Sequence, residues 1–137
     1  NYVGPYVTLA ERSQNDSFVK NWTLMQKWVA DGVPFPGEAY RQWIRDFYQK
    51  NQLINGELTI AGQPVDLKKI KANILNLAGD RDHIASPEQV KPLMNKVSSK
   101  DKTFKILPAG HISISVGRTA TQKTYPLLDQ WLTEHSN

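Results

Sequence analysis

The chain has 137 residues, with 17 basic and 13 acidic side chains and a formal charge of +4. Its 39% hydrophobic content, with four Trp, five Tyr and four Phe, suffices for one folded core and excludes a disordered tail. Cysteine is absent, which excludes disulfides, zinc–thiolate sites and a thiol nucleophile from these residues, and no apolar run reaches the roughly 18–20 residues of a membrane span.

Residues 1 to about 52 read as helical and aromatic. The opening Asn1-Tyr2-Val3-Gly4-Pro5 carries neither an initiator methionine nor a signal sequence and reads as a chain entered midway. Trp22, Met25, Trp28 and Val29 share one face of a helix that Asp31-Gly32 ends, because glycine accepts the left-handed cap. Two prolines in Val33-Pro34-Phe35-Pro36-Gly37 interrupt regular structure. Tyr40, Trp43, Ile44 and Phe47, at i, i+3, i+4 and i+7, predict a second helix over about 38–50, with Arg41, Arg45 and Asp46 on its opposite, wet face. Asn55-Gly56 and Gly62-Gln63-Pro64 mark turns around a short strand, in which Leu58 and Ile60 alternate with Thr59; together they predict a small ribbon.

The remainder reads as β-α-β-α. The apolar run 74–79 predicts a buried strand. Ser86-Pro87-Glu88-Gln89 opens a helix, with Ser as N-cap, Pro in the first turn and Gln three residues on. Val90, Leu93, Met94 and Val97 give that helix its apolar face, and Pro92 predicts a kink within it. Residues 103–108 alternate as a second strand. Leu127, Leu128, Trp131 and Leu132 stripe a terminal helix, with Pro126 in its first turn or at a kink. Strands separated by helices imply parallel pairing through right-handed crossovers. There is no internal repeat. The boundary falls between about 52 and 72, dividing a helical part with its short ribbon over 1–70 from a β-α-β-α part over 71–137.

The lysines are scattered and interleaved with acids, which is ordinary solvated surface and predicts no nucleic-acid partner. Chemistry concentrates in two loops, each following a predicted strand: Gly79-Asp80-Arg81-Asp82-His83-Ile84 and Ala109-Gly110-His111-Ile112-Ser113. Catalytic groups gather beyond the carboxyl ends of parallel strands. Asp82 and His111, 29 residues apart, are therefore the candidate catalytic pair, the carboxylate fixing the imidazole tautomer and stabilising the imidazolium. Taken singly, Asp80 and Asp82 also suit a turn and His111 a surface loop. His83 is the competing base, more often packing or capping the loop. His135 sits at a helix end, where a cation suits the dipole. Asp80, Asp82, His83 and His111 are together a rival divalent-metal set, but without a His-x-x-x-His pair or a dense carboxylate cluster.

Asp82-His83-Ile84 followed by Gly110-His111-Ile112 resembles the polyhydroxyalkanoate synthases. So does the segment Asp31-Gly32-Val33-Pro34-Phe35-Pro36-Gly37 with Tyr40, Arg41, Gln42 and Trp43, which looks like their cap, and Val65-Asp66-Leu67 before the strand. The resemblance covers residues 21 to 132 and is nearest the shorter, Bacillus-like class that works with a small accessory subunit. It implies an α/β-hydrolase fold of which this chain is the C-terminal portion behind a helical cap segment. It also implies acyl transfer from (R)-3-hydroxyacyl-coenzyme A to a growing polyester, through a Cys-His-Asp triad. Carried over by motif, His111 is the general base, and Asp82 is its partner or the base for the polymer hydroxyl. The family's Gly-x-Cys-x-Gly elbow has no counterpart here, nor does Gly-x-Ser-x-Gly. The chain therefore reads as a C-terminal fragment, inactive alone, that dimerises or leans on further chain. The resemblance implies no cofactor and a location at the surface of cytoplasmic polymer granules. The readings beside it are a hydrolase of the same fold, such as a depolymerase or thioesterase, and a non-catalytic interaction domain.

Overall fold

The computed structural model describes residues 3–135. Two compact units divide the chain, one ending at Arg41 and the other beginning at Gln42.

The first unit contains α1 (Gly4–Glu11) and α2 (Asp16–Ala30). A proline in the first turn starts α1. Asn15 caps α2 by accepting the Phe18 amide on its side-chain oxygen at 3.0 Å, so the helix begins well before the Trp22 stripe that announces it. The two helices meet where Tyr6 stands edge-on to Trp22, 5.5 Å between ring centres. Neither helix contains a buried residue, and Val33 beyond them is 90% exposed.

The segment expected as one helix over 38–50 is helical throughout, but in two forms. After α3 (Gly37–Gln42) the winding widens to i→i+5 bonds over Trp43–Gln49, closed by Lys50 N–H on the Arg45 carbonyl at 3.0 Å. Each residue of such a turn rotates by less than in an α-helix, which carries Asp46 off the expected wet face. Asp46 is 5% exposed, gripped by Arg45 Nε at 2.7 Å and Nη2 at 3.0 Å. Of the expected apolar stripe, Ile44 and Phe47 are half-buried, while Tyr40 and Trp43 are exposed.

The short helix α4 (Gln52–Asn55) closes on Gly56 at φ +77°, and the ribbon follows. Strands β1 (Thr59–Ile60) and β2 (Gln63–Pro64) pair antiparallel, joined by Ala61 and Gly62, both at positive φ as a two-residue hairpin of the I′ kind requires.

The two predicted strands are β3 (Ile74–Gly79) and β4 (Lys102–Leu107), paired parallel in register Ile74↔Lys102 to Gly79↔Leu107. Between them, Pro92 does more than kink the expected helix. It separates α5 (Pro87–Val90) from α6 (Leu93–Lys96). Met94 N–H bonds three residues back to the Lys91 carbonyl, leaving the Val90 carbonyl to accept the Asn76 side-chain amide at 3.0 Å. That bond satisfies a polar side chain in the middle of β3.

The chain ends in α7 (Tyr125–His135), with Pro126 in its first turn and a widened turn over Ala120–Thr124 before it. The His135 ring stacks on Trp131 and lies with Nε2 2.9 Å from Asp101 Oδ2, which ties the helix to the turn that opens β4. The architecture is mixed α/β. Among the described residues the buried apolar side chains are Leu58, Ala78, Val97, Ala109 and Ala120, and no helix is long and apolar enough to cross a membrane.

Candidate active site

Parallel strands in register end at the same height, so the loops after Gly79 and Leu107 emerge side by side. Asp80 N–H donates to the Leu107 carbonyl at 2.9 Å and Arg81 N–H to that of Ala109 at 3.0 Å, continuing the contact past the last strand pair. This close approach explains Gly79. A Cβ there would collide with the Ala109 carbonyl oxygen and stand 3.0 Å from its carbonyl carbon.

The first loop turns back at once, Asp82 N–H reaching the Gly79 carbonyl at 3.2 Å. This turns the Asp82 carboxylate inward, where it is 6% exposed. Its Oδ1 accepts the backbone amides of Ile84 and Ala85, each at 2.9 Å, and its Oδ2 lies 3.0 Å from Nδ1 of His111. The amides of Ala85 and Ile84, and then the imidazole, hold the Asp82 carboxyl below the ordinary carboxylate range, against the opposing effect of burial. Asp82 is thus an ionised, acceptor-only group. His111 must then place its proton on Nδ1, which leaves Nε2 as the basic nitrogen of the neutral ring. The His111 side chain is 48% exposed, and Nε2 makes no hydrogen bond to any described residue. A buried anion thus holds a half-exposed imidazole by its far nitrogen, an arrangement in which Nε2 can accept a proton.

The second loop is shaped by Ser113. Its Oγ accepts the Gly110 amide at 2.8 Å, and Ile114 N–H closes on the Gly110 carbonyl at 3.1 Å, so His111 is carried on a tight turn.

Of the residues singled out from sequence, Asp82 and His111 are brought together. His83 points outward and is exposed, Asp80 pairs with Arg81 at 3.3 Å, and His135 bonds Asp101 instead. Among the described residues no group of three or more acidic or histidine side chains is arranged to hold a metal ion. Sequence reading passed over Gly79, Arg81 and Ser113. Gly79 and Ser113 meet backbone groups, and Arg81 reaches the second loop through a backbone carbonyl, so no spacing rule announces them.

Beside the first loop, within the second unit, a groove of about 590 Å³ is lined by Trp43, Phe47, Tyr48, Ile84, Ala85 and Pro92, among others. Its wall begins two residues after Asp82.

Comparison with known proteins finds that the family described as "PHB de-polymerase C-terminus" matches residues 6–136. The poly(3-hydroxyalkanoate) polymerase subunit PhaC of Haloferax mediterranei is 38% identical over 136 residues, 99% of this chain and 28% of that protein. The protein of the same name from Haloarcula marismortui is 38% identical over 136 residues, 99% of this chain and 29% of its own length. That of Allochromatium vinosum is 38% identical over 129 residues, 94% of this chain and 36% of its own length. The chain therefore spans roughly a third or less of the curated relatives it matches.

Proposed function

The chain belongs to the family described as PHB de-polymerase C-terminus, and from that premise we propose that it is the part of a polyhydroxyalkanoate polymerase that supplies the base and its carboxylate. The observation that carries the reading is the bond between Asp82 and His111 at the ends of two parallel strands.

In this reading the chain is the C-terminal portion of an α/β-hydrolase core, 71–137, behind a cap segment, 1–70; the compact units of the structure divide earlier, after Arg41. A cysteine outside these residues is the nucleophile. His111 Nε2 takes the thiol proton as sulfur attacks the thioester carbonyl of (R)-3-hydroxyacyl-coenzyme A. The tetrahedral adduct collapses, the C–S bond to coenzyme A breaks, and the leaving thiolate receives the proton from the imidazolium. His111 next takes a proton from the hydroxyl that attacks the new thioester; the ester bond forms as the C–S bond to the cysteine breaks, the departing sulfur takes that proton back from the imidazolium, and the chain grows by one unit. Asp82 stays ionised throughout and stabilises each imidazolium. The groove beside Ile84 and Ala85 offers an apolar wall for the acyl chain.

Exposed Leu24, Trp28, Val29, Val33 and Phe35, together with two strands lacking further neighbours among the described residues, support association with further protein surface. We assign that surface to further chain, a second copy, and the small accessory subunit, at the surface of polymer granules in the cytoplasm. The chain alone is inactive, for it has no nucleophile.

The family's description favours a second reading, in which water replaces the polymer hydroxyl and the reaction is ester hydrolysis. One assay separates the two: the polypeptide that carries this chain, given (R)-3-hydroxybutyryl-coenzyme A, releases coenzyme A and forms polyester, and His111→Ala abolishes both. Release of free hydroxy acid without polymer decides for hydrolysis, and unchanged turnover in His111→Ala removes the enzymatic role of this site.

A further inference from the structure

Asp82 and His111 stand on separate loops, and the last paired residues of the sheet are Gly79 and Leu107. Something beyond the sheet must fix the spacing of the two side chains. Apart from the dyad itself, Arg81 is the one residue among those described whose side chain joins the two loops. Its Nη2 donates to the Pro108 carbonyl at 2.5 Å, three residues before His111. Its own amide donates to Ala109, and its Nε lies 3.3 Å from Asp80 Oδ1, which steadies the guanidinium plane. The geometry points to Arg81 as a positioning residue, a strap that holds the Asp82 and His111 loops at hydrogen-bonding separation. This rests on the reading of the pair as base and partner.

Two observations set what the strap does. The Arg81 side chain is 67% exposed and Asp80 49%, so water competes for both and the ion pair adds little to stability. The contact to Pro108 is instead geometric: a planar, multidentate donor fixes a carbonyl and a carboxylate at once, which an ammonium does not. Because small misplacements of a base cost large factors in rate, the expected effect falls on turnover and not on folding.

The test uses the full polypeptide carrying this chain. Arg81→Met is expected to lower kcat about 10-fold, leave KM within twofold, and leave the urea midpoint unchanged. In ¹⁵N-histidine-labelled protein, the downfield Nδ1–H resonance of His111, assigned by its loss in His111→Gln, is expected to broaden or move upfield. Arg81→Lys restores part of the rate, and Asp80→Asn, which keeps Arg81 but loosens its plane, gives a smaller loss in the same direction. If Arg81→Met does not fold, these two milder variants decide. An unchanged resonance with unchanged kcat overturns the assignment, as does a rate loss that only follows a lowered urea midpoint. The resonance is read without turnover. A shifted signal in a protein whose His111→Ala variant keeps its activity would leave the strap standing and remove the catalytic reading alone.

Discussion

Oδ2 of Asp82 lies 3.0 Å from Nδ1 of His111, while the other oxygen of the same carboxylate takes two backbone amides. All of its neighbours are donors, which leaves no position for a group that must itself donate.

Asp82→Asn is therefore expected to fail whichever way its amide turns. With the carbonyl toward His111, the NH₂ faces the amides of Ile84 and Ala85. Turned over, the NH₂ faces Nδ1 and drives the imidazole proton to Nε2. The expected outcome is a loss of roughly 10³–10⁴-fold in kcat, as befits a wrong tautomer, with a stability cost of about 1–3 kcal/mol for the unpaired donors. Coenzyme A release and urea unfolding on the same preparation check both.

Acid should weaken the fold through Asp82 and Asp46. The first is held down by the amides of Ala85 and Ile84 and then His111, the second by the Arg45 guanidinium. In each case the folded value lies below the unfolded one, about 3.9, so the unfolded state binds more protons between the two. The stabilisation is complete above the unfolded value and is lost as pH falls through it toward the folded value. Urea midpoints from pH 7 to pH 3 should fall with acid in the wild type and fall less steeply in Asp46→Asn.

Gly79→Ala should wedge the loops apart. The added methyl meets a backbone carbonyl of Ala109, which has no flexible end to yield. A loss of about 1–3 kcal/mol is expected, as for overpacked sites, accompanied by a fall in turnover. Gly32→Ala, where a Cβ meets nothing within 4 Å, is the control and should leave turnover unchanged.

Ala61 stands at φ +50° in the hairpin between β1 and β2, where a side chain strains the backbone. Ala61→Gly or Ala61→Asn should raise stability by up to about 1 kcal/mol without touching turnover. A midpoint that falls in both variants would show that the turn does not carry this strain.

The strands were the most legible part of the fold. Ile74 to Gly79 is a mainly apolar run between Asn73 and Asp80, and the second strand is stopped by Pro108, so both lie within one residue of expectation. The pairing of Asp82 with His111 was legible for the same reason, since a loop's place after a strand follows once the strand is known. Asp46 was misplaced because the pattern was read at 3.6 residues per turn and the winding around it is wider. The helix of Gly4–Glu11 carries no apolar stripe of its own to announce it. Arg81 stayed invisible because its partner is a main-chain oxygen 27 residues away, and every residue type supplies one of those.

The bond from Asn76 to the Val90 carbonyl exists because Pro92 breaks the helix beyond it. A helix-former at 92 would let Met94 N–H compete with the strand amide for that oxygen, whereas an apolar residue at 76 would remove the donor that now satisfies it. Neither position is free to drift by itself. In descendants of this sequence the asparagine and the proline are expected to be inherited as a couple, or exchanged together for an aliphatic residue and an unbroken helix.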